Sequence, residues 1–198
     1  QIPTPGCVPW AIAASKDDED IWFTEETSGN ISLFVPSQTK FYEWMLPNPE
    51  QSPRPRGITM NITKMSTGKT PRYDVWFTEF GRSRIGHLYG IPGPDKVLFS
   101  FYTIPGVTNA QPMCIAMSPV DYSIWFTEYR TNRISSIKLL ENGSALFRHY
   151  TTVDLAIQES GLYGIAVDPN GFVWVAESKR NCIGRLNPVS GEYVTFTV

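Results

Sequence analysis

Four glutamates, Glu25, Glu79, Glu128 and Glu177, recur in one local setting and carry the clearest chemistry of this 198-residue chain. Each closes a five-residue string: Ile21-Trp22-Phe23-Thr24-Glu25, Val75-Trp76-Phe77-Thr78-Glu79, Ile124-Trp125-Phe126-Thr127-Glu128 and the worn copy Val173-Trp174-Val175-Ala176-Glu177. Four carboxylates at the end of a repeated element offer the hard oxygen donors that a divalent cation takes. They also suit plain structure, accepting backbone N–H groups at turns or pairing with Arg82, Arg130 or Lys179. The spacing leaves both roles open. Histidine most often does general-base work near neutral pH, and only His87 and His149 are present. Both fall in outer strands of their repeats, where a surface or packing role is expected.

The elements that must position these groups follow from the recurrence. Tryptophans at 22, 76, 125 and 174 repeat at a spacing near fifty, a length that marks propellers and solenoids. A β-branched residue, two aromatics, a small residue and a carboxylate suit a pleated, half-buried strand. Around each copy, turn residues divide the chain into four short strands, the content of one antiparallel propeller blade. The repeats run over about 1–46, 47–104, 105–152 and 153–198. The expectation is an all-β propeller module over 1–198, either a closed four-bladed ring or four blades of a larger one. Thr63–Tyr73 reads as a solvent-facing excursion and Val153–Ser160 as a single helical turn.

In such a blade the first strand descends beside the channel and the second climbs back. The four glutamates then lie near the same channel mouth as Trp10, Arg56, Met113 and Tyr163, the candidates for contact with a ligand. The same geometry makes Cys7 and Cys182 neighbours if four blades close a ring, so a disulfide between them is expected in that case. Cys114 reads as a buried free thiol.

Composition narrows the rest. A formal charge of −2 and scattered basic residues give no electrostatic footprint for nucleic acid. No apolar run approaches the roughly 20 residues of a membrane-crossing helix. Phosphate-binding glycine loops and the Gly-x-Ser-x-Gly elbow are absent. Three sequons, at Asn30, Asn61 and Asn142, fall where turns or strand ends are expected and point to an extracellular or cell-surface glycoprotein. The chain opens on Gln1 rather than Met, as a processed or trimmed product would.

The string Gly164-Ile165-Ala166-Val167-Asp168-Pro169-Asn170-Gly171, with its continuation through Trp174 to Glu177, resembles a repeat of the streptogramin B lyase (virginiamycin B lyase) family. So do the Trp-Phe-Thr-Glu tetrads and Arg84-Ile85-Gly86-His87-Leu88. The resemblance spans all four repeats. It implies a seven-bladed propeller that opens the ester of a cyclic depsipeptide by elimination, with a histidine base and a magnesium ion held by glutamates. The family's Pro-His-Gly-Ile string, at the start of a first strand, corresponds to Pro9-Trp10-Ala11-Ile12, Pro55-Arg56-Gly57-Ile58, Pro112-Met113-Cys114-Ile115 and Leu162-Tyr163-Gly164-Ile165. Histidine fills none of the four. The reading is therefore a non-catalytic binding or scaffold module for a protein partner or small ligand, open to assembly with further blades. The alternative is a magnesium-dependent carbon–oxygen lyase whose histidine lies on blades outside this chain.

Overall fold

The computed structural model describes residues 2–14, 19–63, 72–91, 96–152 and 161–198. Among these residues sixteen strands form four antiparallel sheets, each built from four consecutive strands. The first sheet holds β1 (Pro9–Ala14), β2 (Ile21–Glu25), β3 (Asn30–Val35) and β4 (Lys40–Met45). The second holds β5 (Pro55–Thr63), β6 (Arg72–Glu79), β7 (Arg84–Gly90) and β8 (Val97–Thr103). In the third are β9 (Pro112–Met117), β10 (Ile124–Glu128), β11 (Arg133–Leu139) and β12 (Ala145–Thr151). The fourth comprises β13 (Leu162–Val167), β14 (Val173–Glu177), β15 (Cys182–Leu186) and β16 (Tyr193–Thr197). These are the expected four-stranded blades of a β-propeller. The helical turn expected within Val153–Ser160 lies outside the described residues, as does 64–71 of the expected excursion.

The chain divides into two compact units, Gln1–Thr103 with the first two sheets and Ile104–Val198 with the last two. In both, the tetrad explains the packing. Side chains alternate across a strand, so Trp and Thr share one face while Phe and Glu share the other. In unit 1, Trp22, Ile31, Leu33 and Trp44 of the first sheet meet Ile58, Val75, Phe77 and Leu88 of the second. Trp22 stacks on Trp44 at 5.4 Å and tilts against Tyr73 at 5.3 Å, burying aromatic area where it stabilises most. In unit 2, Trp125 and Ile134 of the third sheet meet Leu162, Val173, Val175 and Leu186 of the fourth. Trp76 and Trp174 lie on the faces of their sheets turned away from these cores: Trp76 is buried and stacks on His87 at 4.1 Å, whereas Trp174 is half-buried and stacks on Phe196 at 5.9 Å.

Every first strand carries a bulge at one place. Pro9 pairs with Glu25 and Ile12 with Phe23, so Trp10 and Ala11 together oppose Thr24 alone. Arg56-Gly57 oppose Thr78, Met113-Cys114 oppose Thr127, and Tyr163-Gly164 oppose Ala176 in the same way. A bulge re-aims side chains and strands an amide; the tetrad threonine receives that amide. Thr24 Oγ1 accepts from Ala11 N–H at 3.2 Å, Thr78 from Gly57 at 2.8 Å and Thr127 from Cys114 at 3.2 Å. The same hydroxyl then donates to the neighbouring sheet, Thr24 to the Arg56 carbonyl at 2.6 Å and Thr127 to the Tyr163 carbonyl at 2.9 Å. One threonine thus satisfies a bulge and joins two sheets.

Candidate functional site

The residue before each bulged strand sits at positive φ: Val8 at 51°, Arg54 at 47°, Gln111 at 51° and Gly161 at 64°. Only the glycine adopts this freely; for the others the conformation costs about 1–3 kcal/mol each. It turns each carbonyl to accept the amide just after the tetrad, from Glu26, Phe80, Tyr129 and Ser178 respectively. The first bulge residue and the residue after the tetrad are thereby held side by side at one end of each sheet. That is where the candidate site forms.

In unit 1 this bulge end is charged and aromatic. Arg56 is 8% exposed, with its guanidinium 3.6 Å from the centroid of Phe80 and 4.4 Å from that of Trp10. Glu26 anchors it: one carboxylate oxygen, Oε1, accepts from Arg56 Nε at 3.0 Å and Nη2 at 2.8 Å. The same oxygen accepts from Arg54 Nε at 3.0 Å and Nη2 at 2.6 Å. Burial opposes the charged form of Glu26, but the Arg56 and Arg54 hydrogen bonds outweigh it and hold the carboxyl below its usual range. Two guanidiniums on one carboxylate leave a net positive charge. The Arg54 side chain is 47% exposed and Trp10 43% exposed, so a cation and an indole face solvent together.

In unit 2 the equivalent positions are neutral. Tyr163 is 40% exposed and meets Tyr129 edge-on at 5.7 Å, with the Lys179 amine 5.7 Å from the Tyr129 ring. Met113, expected at the surface, is only 1% exposed, because its long apolar side chain is better placed in packing than in water. Of the four mouth candidates, Trp10 and Tyr163 are exposed, Arg56 is buried against Trp10, and Met113 is almost wholly buried.

The glutamates depart from the metal reading. Each is almost wholly buried in its own sheet, where hairpin pairing places residues five and seven positions later beside it. Glu25 accepts from Ser28 at 2.7 Å, Asn30 at 3.0 Å and Ser32 at 2.8 Å. Glu128 accepts from Thr131, Arg133 and Ser135 at the same offsets. Glu79 takes Arg84 at 2.9 Å and Arg82 at 3.4 Å. Arg180 and the Tyr193 hydroxyl bind Glu177. Arg133 and Arg180 stand where Arg130 and Lys179 were expected. Hydroxyls and guanidiniums occupy these oxygens, and the described residues contain no cluster of three or more His, Cys, Asp or Glu able to hold a metal. The carboxylates at 25, 79, 128 and 177 therefore do not fit a magnesium site.

One oxygen breaks the pattern. Gly86 stands where the first and third sheets have Ser32 and Ser135, and Glu79 Oε1 is buried without a partner. Burial accordingly pushes the Glu79 carboxyl up, against the pull of Arg84 and Arg82. A side chain at position 86 has no room, since a Cβ there would stand 2.1 Å from the Phe77 ring.

The other candidates resolve as follows. His87 bonds Asp74 and stacks on Trp76 at 4.1 Å. His149 bonds Ser135 at 2.8 Å and lies 3.3 Å from Glu128; burial, with Arg133 adding to it, lowers its pKa. Cys7, Cys114 and Cys182 are free thiols, so the Cys7–Cys182 bridge that a closed four-bladed ring would allow is not formed. Each of those two is instead buried beside the glutamate of its own sheet, Glu25 or Glu177, and burial raises both thiols. Asn30 is 3% exposed and its Nδ2, the atom a glycan would need, donates to Glu25. Asn61 lies inside β5. Asn142 sits on an exposed turn, its side-chain oxygen accepting from Ser144.

Sequence reasoning passed over Glu26, Arg54, Phe80 and Tyr129. The available signal was positional: Glu26, Phe80, Tyr129 and Ser178 each follow a tetrad, and their dissimilarity marks a place where the repeat is free to vary.

Comparison with known proteins agrees with this architecture. An NHL repeat is matched over residues 164–186. No curated protein matches the sequence. The virginiamycin B lyase of Staphylococcus aureus is 29% identical, with a TM-score of 0.75 over 100% of this chain. Its catalytically inactive His→Ala variant, solved with quinupristin, agrees equally well. A streptogramin B lyase structure is 25% identical at a TM-score of 0.75. The chain spans 58% and 57% of the length of these lyases. Four-stranded sheets repeated four times, an NHL repeat in the last and structural agreement along the whole chain make this a β-propeller chain similar to the streptogramin B lyases.

Proposed function

We propose that the chain is a non-catalytic, extracytoplasmic binding module on a lyase-like propeller, with the bulge end of unit 1 as its ligand contact. One observation carries the reading. The first bulge residues, which correspond to the histidine of the lyase string, are Trp10, Arg56, Met113 and Tyr163, and none of these is a base poised near neutral pH. His87 and His149 are committed to Asp74 and Ser135 within their own sheets. What the unit 1 end offers is recognition: an exposed indole, an exposed guanidinium and a rigid Arg56–Glu26 base beneath them. Such a surface suits an aromatic or acidic group of a ligand or partner protein. Extracytoplasmic placement rests on the sequons, of which Asn142 has the exposure that modification requires.

A second reading, a magnesium-dependent lyase, is favoured by the 29% identity to virginiamycin B lyase. In that case the base comes from outside the residues described. Quinupristin, bound by the inactive lyase variant, is the probe that separates the two. Incubated with the chain and magnesium and followed by liquid chromatography, it is expected to stay cyclic. Ring opening that chelator abolishes would establish the lyase and overturn the binding reading.

A further inference from the structure

At the end of unit 2 opposite the bulges, the third and fourth sheets enclose a cleft of about 510 Å³. That volume falls within the roughly 300–1,000 Å³ of small-molecule sites. One wall is a face of the third sheet. Trp125 pairs with Ser136, which pairs with Arg148, so three side chains form a row across β10, β11 and β12. Lys138 and Leu146 make the next row on the same face. The facing wall comes from two turns of the fourth sheet, Asn170-Gly171-Phe172 and Asn187-Pro188-Val189.

Three features give this cleft a defined chemistry. Arg148 is exposed and has no ion-pair or hydrogen-bond partner among the described residues. Beside it Ser136 is only 6% exposed, yet its hydroxyl lines the cleft and has no hydrogen-bond partner among the described residues either. Its oxygen is open to the cleft rather than sealed in the sheet, so it can donate to a bound acceptor. The remaining charges cancel: Lys138 Nζ lies 3.0 Å from Asp121 Oδ2. Asp121 is held ionised, its pKa lowered to about 2: burial opposes this, and hydrogen bonds from Ser123 and Lys138 outweigh it. The cleft therefore carries one net positive charge, with Val120, Leu146 and Phe172 as apolar lining.

We propose that this cleft binds a small organic monocarboxylate, with the Arg148 guanidinium taking the carboxylate in its planar fork and the Ser136 hydroxyl donating to the same group. The apolar body of the ligand rests against Val120, Leu146 and Phe172. A planar monoanion matches a single guanidinium bidentately. A dianionic phosphate would meet one unpaired cation and the fixed carboxylate of Asp121, and is disfavoured. The site is built from unit 2 residues alone and shares none with the unit 1 bulge end, so it stands or falls independently of the function proposed above.

The test is NMR titration of the full chain with phenylacetate, phenylacetamide and inorganic phosphate at millimolar concentration. Phenylacetate is expected to shift the Ser136, Arg148 and Phe172 signals saturably. Phenylacetamide, which keeps the ring and loses the charge, should bind about tenfold more weakly or worse, as loss of a charge-assisted hydrogen bond implies. Arg148→Gln should impose a similar loss, and Arg148→Lys should not restore affinity because the fork is gone. Arg148 is exposed on its strand, so both variants should keep the fold, checked by unchanged spectra elsewhere. Equal binding of acid and amide, phosphate competing on equal terms, or no saturable shift with any probe would each overturn the proposal.

Discussion

The bulge ends of the two units share a backbone and differ in nearly everything attached to it. In each, a residue at positive φ precedes the strand, two residues oppose one, and the amide after the tetrad is bound by the turned carbonyl. Unit 1 fills this frame with Trp10, Glu26, Arg54, Arg56 and Phe80; unit 2 fills it with Met113, Tyr129, Tyr163 and Ser178. The first is an ion cluster packed against two rings, the second a pair of tyrosines. Geometry is thus set by main-chain hydrogen bonds and threonine, while the side chains that meet a ligand vary without disturbing the fold. That separation is how one propeller frame hosts unrelated functions.

The sharpest way to break the comparison is to remove the ion cluster. Glu26→Ala leaves the buried Arg56 guanidinium without its carboxylate, and should destabilise the protein by about 3–5 kcal/mol. Ser178→Ala, at the matching position of unit 2, loses one hydroxyl bond to the Gly161 carbonyl and should cost only about 0.5–1.5 kcal/mol. Urea denaturation of the two variants compares them directly. Similar losses would mean that the charge cluster contributes no more than an ordinary turn.

If the shared frame is common to both units, its threonines should behave alike. Thr24→Val and Thr127→Val each strand a bulge amide and a neighbouring carbonyl, for an expected loss of about 1–3 kcal/mol apiece. Losses differing by more than this range spans would show that the frame is not equivalent in the two units.

Acid sharpens the contrast through Glu26. Its carboxyl is held below the ordinary range, so the stability it contributes is present above the unfolded-state pKa and lost as pH falls through the lower folded value. The stability gap between the native chain and Glu26→Gln should therefore be widest near neutrality and shrink through the acid range. A gap independent of pH would contradict the assignment. The smallest effect is expected at Trp10, whose half-exposed ring covers Arg56. Trp10→Ala should cost about 0.5–1 kcal/mol, the scale of an exposed cation–π contact, while abolishing ligand contact at the unit 1 end.

Much of this architecture was legible in the residues. The tetrad fixed β2 and β14 to their end residues and β10 to within one residue, because alternating aromatics between turn signals leave little choice of register. The glutamates were harder. Their recurrence at strand ends suggested a shared mouth, whereas hairpin pairing turns Glu25 towards Asn30 and Ser32, and Glu128 towards Arg133 and Ser135. That register was implicit in the spacing, since the turn between the second and third strands has one length throughout. The Arg54–Glu26–Arg56 cluster was out of reach. Glu26 and Arg56 belong to different sheets, and nothing local to either says that a neighbouring sheet supplies its partner.

The tetrad threonine has one more consequence, for how the molecule opens. Because Thr24 ties its own sheet's bulge to the next sheet, the cost of loosening one sheet is shared with its neighbour, as in nearest-neighbour models of repeat arrays. The fourth repeat carries Ala176 and has no hydroxyl to receive the Gly164 amide. Amide exchange with deuterated solvent should therefore be slow at Ala11, Gly57 and Cys114 and markedly faster at Gly164, making the fourth sheet the one from which local unfolding starts.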